Sequence, residues 1–478
     1  MSVSSCISAL QLAHDCTHVT RPGAIVTYTC TMEHTSSATA LSAATALSEH
    51  VDAVMAAEQA VEEVASRLGR IAIDLALVFT GGEHAQEMAA IAGVVRSALR
   101  PAMLLGVTAG GVVGNGVEVE DKPGVALFAA ALPGTTLHAF TYRHLPHVKD
   151  EHDEEALLRM AAAIGARSDL RATLFFADPF SVPAGSIVGA ISAVPKVVRG
   201  LPRLPLVGGM ASAGAAPGSN MLVLNDEVMR SGAVGVTIRG NVAVDCMVSQ
   251  GCRPIGRPLV ITGGHRNIIT ALGGRSAFEV LRDTVNELDE TDRLLLPNGI
   301  FIGRVINEYK DRFGRGDFLV RGVMGVDQSV GAVAVGDAVQ VGQTVQFHVR
   351  DAETASEDLT MLLEAEQLRR PAVGALLFTC NGRGRKFFSK PNHDAQAICA
   401  ALDAARAEGS EWDWGASDVN ATSPVEDRVQ DAPGDAAPST DSVPLAGFFA
   451  AGEIGPIGDR SFVHGHTAIA AIFRGRDD

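Results

Sequence analysis

No run of this 478-residue chain approaches the roughly 20 uninterrupted apolar residues that a membrane-spanning helix needs, and the opening SVSSCISALQLAHDCTHVTRP lacks the basic region and apolar core of a secretory signal. The expectation is a cytoplasmic chain, neither exported nor anchored in a membrane. Cysteine is scarce: Cys6, Cys16, Cys30, Cys246, Cys252, Cys380 and Cys399 form an odd, scattered set with no CxxC pair. That argues against a disulfide scaffold and a zinc knuckle, and suits buried thiols in a reducing compartment. Positive charge is in short supply, with 39 Lys and Arg against 55 Asp and Glu and a net charge of −16. Such a surface repels phosphate backbones and anionic lipid, so neither nucleic acid nor membrane is expected as a partner. Common catalytic signatures are missing too. There is no GxxxxGK[ST], no GxGxxG between a strand and a helix, no GxSxG, no HExxH and no kinase motif.

What is present is apolar bulk and glycine. Hydrophobic residues make up 47% of the chain, enough for a large interior divided among several domains, and 50 glycines imply many tight turns or close backbone approaches. Residues 44–69 carry apolar positions at helical spacing and read as one long amphipathic helix. Then come an apolar strand at 74–82, a helical pattern at 83–99, and a strand at 102–116 that runs into a small-residue loop, followed by two more strands. The same order recurs with strand 172–179, helix 184–201 and strand with loop 205–218, and a third time with strand 375–384, helix 393–409 and strand with loop 446–459. The expected fold class is α/β, with mixed sheets built from repeated strand-helix-strand-strand units.

Between the second and third copies the texture changes to a hairpin at 257–274, a helix at 274–288 and several strands with too few helices to link them in parallel, which predicts an antiparallel sheet. A helix at 355–370 closes this region, with Ser356 as candidate N-cap. Residues 411–444, rich in Asp, Pro, Ser and Ala, read as a disordered acidic insertion, and 1–43 as a disordered leader.

Particular segments resemble a known family. GVTAGGVVGNGVEVEDKPGVALF is similar to the N-terminal FIST module, and FTCNGRGRKFF, FFAAGEIGPIG and FVHGHTAIAAIF together resemble the FIST C-terminal module. The resemblance spans about 44–475 and implies an N-like module at 44–255 and a C-like module at 256–478. It also implies a sensory, signal-transducing protein that binds a small molecule, possible amino acids among them, with a protein partner as receiver of the signal. No cofactor and no metal is expected.

The chemistry-bearing residues concentrate in the third copy. Strand 375–380 delivers Asn381, Arg383 and Gly384, and strand 446–451 delivers Gly452, Glu453 and Gly455. Parallel strands would place both loops at one sheet edge, where open α/β sheets bind ligands. Arg383 and Glu453 could hold the two ends of a zwitterion, or form an ion pair locking the loops together. His464 and His466, one residue apart, would share a face in a strand and serve a ligand, a metal or the core. Thr108 occupies the matching loop of the first copy. Cys380 reads as a buried thiol or as a nucleophile beside the arginines. Three functions compete: a small-molecule sensor; a hydrolase or transferase using Glu453, Arg383 and His464 or His466; and an interaction scaffold.

Overall fold

A computed structural model describes residues 40–202, 205–310, 312–411 and 442–476, so that most of the leader and of the acidic insertion lie outside the described residues. The first unit runs β1 (Ser42–Ser48), α1 (Ala53–Leu68), β2 (Leu75–Gly81), α2 (Met88–Leu99), β3 (Met103–Ala109), β4 (Gly111–Gly114), β5 (Val117–Glu120) and β6 (Gly124–Ala131). The second repeats it as β7 (Thr135–Thr141), α3 (Glu154–Ala163), β8 (Leu170–Ala177), α4 (Ala184–Ala193), β9 (Leu206–Met210), β10 (Leu222–Leu224), β11 (Glu227–Met229) and β12 (Ala233–Gly240).

The third unit opens with β13 (Ala243–Gln250) and is interrupted by β14 (Cys252–His265), β15 (Ile268–Leu272), β16 (Arg275–Ser276), α5 (Ala277–Asn286), α6 (Glu290–Leu295), β17 (Ile300–Val305), β18 (Phe318–Asp327), β19 (Ala332–Val335) and β20 (Thr344–Arg350). It then resumes as α7 (Ala352–Gln367), β21 (Ala372–Cys380), α8 (His393–Glu411), β22 (Leu445–Ala450), β23 (Glu453–Ile457), β24 (Arg460–His464) and β25 (Thr467–Arg474).

The three units build three sheets of one design, ordered β1-β6-β2-β3-β10-β11, β7-β12-β8-β9-β23-β24 and β13-β25-β21-β22-β4-β5. The parallel pair at the heart of each, β2/β3, β8/β9 and β21/β22, is joined by a helical crossover, as a parallel connection requires. Each unit lends its hairpin to a neighbour: β4–β5 completes the third unit's sheet, β10–β11 the first, and β23–β24 the second. The exchange is cyclic and binds the units into one body.

Period-two alternation in these strands sends one set of side chains inward and the other under the helices. The inward sets of all three sheets merge into one core, in which Phe176 meets Phe79, Phe378 and Phe448 with ring centroids 5.7–6.1 Å apart. The outward sets pack under α1 and α2, under α3 and α4, and under α7 and α8. The central strands are buried on both faces, which is why they read as continuous apolar runs rather than as alternating ones.

The inserted segment is the antiparallel element expected from its texture. Strands β14, β20, β17, β18, β19 and β15 pair in a ring closed by β14 against β15.

Two local readings need correction. Residues 44–48 end strand β1, paired antiparallel with β6, and the helix begins only after Asp52, whose carboxylate caps the Met55 N–H at 2.9 Å. The small residues Ala44, Thr45 and Ala46 carry no periodicity of their own, and the Asp52 cap fixes the helix start. The N-cap of α7 is Asp351, not Ser356, which lies one turn inside the helix.

Candidate functional site

Parallel pairing of β21 with β22 brings the loops after Cys380 and Ala450 to one sheet end, where the Asn381 N–H donates to the Ala450 carbonyl at 3.0 Å. Asn381 itself is exposed. Arg383 turns back into the protein and is 1% exposed. Its Nε and Nη2 fork onto Asp394 at 2.8 and 2.9 Å, and Thr379 Oγ1 donates to the same carboxylate at 3.0 Å. Burial works against the Arg383 charge, and the Asp394 carboxylate overcomes it. The ion pair contemplated between Arg383 and Glu453 is therefore taken by Asp394, leaving Arg383 Nη1 as a buried donor without a partner among the described residues.

Glu453 opens β23 and is completely buried. Its Oε2 accepts from Thr467 N at 3.0 Å and Thr467 Oγ1 at 2.9 Å, while Oε1 has no hydrogen-bond partner among the described residues. Burial pushes its carboxyl up to about 7, against the pull of the Thr467 donors, the Cys380 thiol and Arg383. Register exposes how unusual this acid is. Glu453 sits opposite Gly209, as Leu222 sits opposite Val107 and Val112 opposite Phe448 in the equivalent sheets. Two copies fill the position with apolar side chains and one with a carboxylate.

The histidines part company. His464 ends β24, is buried, and shares a hydrogen bond of 2.9 Å with the Gly455 carbonyl. His466 lies in the turn before β25 at φ 67°, the left-handed region that a non-glycine residue rarely occupies and that is found where function tolerates strain. The same-face geometry expected of a strand does not form, because the strand stops at His464. His466 Nδ1 has no partner among the described residues, its ring meets Phe301 edge-on at 4.5 Å, and burial followed by repulsion from Arg350 holds it down at about 4.

The remaining candidates have packing roles. Thr108 exchanges hydrogen bonds with Met221. A Cβ at Gly384 would collide with the Glu120 carboxylate, one at Gly452 with Met210, and one at Gly455 with Ile469. Cys380 is half-buried, and desolvation pushes its thiol up to about 12, which leaves it protonated rather than poised as a nucleophile.

The barrel supplies a wall that the sequence did not reveal. Arg350, ending β20, donates Nη2 to the Gly382 carbonyl at 2.7 Å and lies 4.2 Å over the Phe387 ring, with its buried Nε unpaired. Arg321 of β18 donates to the Val463 carbonyl at 2.8 Å. At Gly251, between β13 and β14, a Cβ would lie 2.8 Å from the His466 carbonyl and 3.0 Å from Arg383 Nη1, so only glycine lets these groups meet. A crevice lined by Gln250, Gly251, Cys252, Val320, Gly465 and Thr467 runs here and is too narrow for a water-sized sphere. Arg350, Asp394 and Thr467 carry no motif; Asp394 and Thr467 reach Arg383 and Glu453 from the helix α8 and the strand β25 that follow them, and Arg350 enters through the pairing of the inserted barrel.

A cavity of about 330 Å³ lies elsewhere, floored by Leu170, Ile191, Val194 and Leu206. It contains none of the residues singled out above. Among the described residues no group of three His, Cys, Asp or Glu is arranged to hold a metal ion, and no helix is long and apolar enough to cross a membrane.

Three sheets exchanging hairpins around one core, with a barrel closing over the polar end of the third, define a two-module α/β protein. The FIST N domain matches residues 74–275 and the FIST C domain residues 277–409, and the chain belongs to the FIST family. FIST domains are recognised as sensory, small-ligand-binding domains. An uncharacterized protein of Mycobacterium tuberculosis is 36% identical over 404 residues, covering 84% of this chain and 91% of its own length. Another from Mycobacterium bovis is 35% identical over 427 residues, covering 88% and 96%. Among solved structures, a cyanuric acid hydrolase from A. caulinodans aligns over 92% of this chain and 100% of its own, at 10% identity and a TM-score of 0.32. That likeness is too weak to carry an argument.

Proposed function

We propose that this protein is a cytoplasmic small-molecule sensor whose ligand, an amino acid or similar metabolite, is held where the third unit meets the barrel. One observation carries the reading: Arg383 Nη1, Arg350 Nε, Glu453 Oε1 and His466 Nδ1 are all buried and all lack a hydrogen-bond partner among the described residues. Each such group costs about 1–3 kcal/mol, more when charged, unless a ligand or water satisfies it. The chemistry of the set matches a zwitterion, with guanidinium donors for a carboxylate and the glutamate for an ammonium group. Because the crevice is closed, entry requires the Gly465-His466 turn to move, and that movement is what a downstream protein partner would read.

Thermal-shift titration against the proteinogenic amino acids, with mass spectrometry of small molecules retained on purification, tests this. The expected result is a saturable stabilisation by one or a few compounds, weakened tenfold or more in Arg350→Lys, where a single ammonium replaces a planar fork. Absence of any stabilising or retained compound would sink the proposal, as would an affinity indifferent to Arg350→Lys. Turnover of the bound compound would favour the enzyme reading instead.

A further inference from the structure

Helices α7 and α8 bring Ser356 and His393, which the proposed ligand site does not use, into one hydrogen-bonded line with Asp394, the partner of Arg383. Ser356 Oγ lies 2.7 Å from His393 Nε2, and His393 Nδ1 lies 3.0 Å from Asp394 Oδ1. The line has the polarity that nucleophilic catalysis needs. Its acid end is buried, with Asp394 1% exposed, while the His393 side chain is 20% exposed and Ser356 is half-buried.

We propose that Ser356 is an activated nucleophile toward carboxylic esters, with His393 as its proton acceptor and Asp394 as the residue that positions His393. Such a triad is recognised by geometry and roles rather than by sequence order, so the missing GxSxG does not exclude it. Arg383 forks onto both oxygens of the carboxylate, sharing Oδ1 with His393, and Thr379 donates to Oδ2, which together fix its orientation. Burial opposes the Asp394 charge, but the arginine keeps it ionised, as an acceptor from His393 must be. The imidazole lies flat on Phe388, centroids 3.6 Å apart and 6° from parallel, which sets its plane. Donation from Nδ1 to Asp394 selects the tautomer with a free lone pair on Nε2. Ser356 Oγ also lies within donating distance of the Ala352 carbonyl, at 3.0 Å, and the shorter 2.7 Å contact to His393 Nε2 is the one that transfers the proton.

In the step proposed, the Oγ–acyl carbon bond forms as the hydroxyl proton passes to Nε2. The ester C–O bond then breaks, and the departing alcohol takes that proton. Water reverses the sequence: it gives a proton to Nε2, its oxygen bonds to the acyl carbon, the Oγ–carbon bond breaks, and the proton returns to Oγ. The products are an acid and an alcohol, and the only co-reactant is water.

The test is labelling of the full chain with an alkyl fluorophosphonate, whose phosphorus stands in for the acyl carbon and loses fluoride, followed by peptide mass spectrometry. The expected result is one adduct on Ser356, absent in Ser356→Ala and formed at least a hundredfold more slowly in His393→Gln, the scale of general-base assistance. A role limited to tethering α7 to α8 would shift the melting temperature of either variant and give no adduct in the wild type. Folded wild-type protein without label at Ser356 overturns the proposal, and so does undiminished labelling in a folded His393→Gln.

Discussion

Replacing Glu453 by Gln should stabilise the ligand-free protein, and increasingly so as the pH rises. The folded carboxyl is pushed up to about 7 by burial, against 4.5 for a solvated glutamate. A raised acid pKa means that the folded chain binds more protons than the unfolded one between those values, so stability falls as pH climbs through the window. At about 1.4 kcal/mol for each tenfold change in proton affinity, the carboxylate costs the folded state about 1 kcal/mol at pH 5 and roughly 3 kcal/mol at pH 8.5. Gln keeps an oxygen for the two Thr467 donors and removes the titration. Comparison of wild type with variant is essential, because other buried groups titrate too. His464 and His466, held down at about 4, lose stability as pH falls below 6.5, while Glu118, pushed up to about 8 by burial and Asp394, loses it as pH rises. Urea denaturation of both proteins at pH 5 and 8.5 reads the difference. A Gln advantage that does not grow with pH, or a variant less stable at pH 8.5, would refute the reasoning.

The Phe176→Ala variant removes the ring that meets Phe79, Phe378 and Phe448, drawn from the other two units, and should lower stability by about 3–5 kcal/mol in denaturant titration. Arg383→Ala leaves Asp394 buried without its counter-charge and should cost a further-reaching 3–5 kcal/mol or so, with much of the loss recovered in Arg383→Met/Asp394→Leu. If Arg383→Ala instead melts like wild type, the pair is not what holds the third unit's loop.

The repeated units and the antiparallel insertion were legible in the sequence because they rest on strand and helix periodicities that each segment carries alone. The cyclic exchange of hairpins was not, since GGVVG at 110–114 gives no sign that it will pair with Ala446, Gly447 and Phe448 rather than with its own unit. Arg383, Glu453 and His466 were legible as a list but not as an arrangement. Arg383 and Glu453 stood out as charges in glycine loops, yet the partner of Arg383 is Asp394, which looked only like the first turn of a helix. Arg350 is 33 positions before Arg383 and enters through barrel closure, a tertiary event with no local signal. The first helix was overextended because Ala and Ser fit strand and helix alike until a cap or a pairing partner decides between them.

Near-symmetry of the fold provides an internal control for what the third copy's polar residues are for. Where Glu453 stands, the other units place Val112 and Leu222, both fully buried, so the scaffold folds without a carboxylate there. Where its partner Thr467 stands, the same register places Gly124 and Gly232, each one position before the residue that pairs beside the central phenylalanine's strand. A buried acid with one oxygen unpartnered is less stable than the apolar side chains used twice elsewhere. The polar pair is therefore a departure from the repeated design rather than part of it, and it falls at the one end of the three sheets over which the barrel closes. A buried carboxylate is introduced at that place and at neither of its equivalents, so the repeated design does not require it, and Glu453→Gln is the substitution that separates its cost from that of the scaffold.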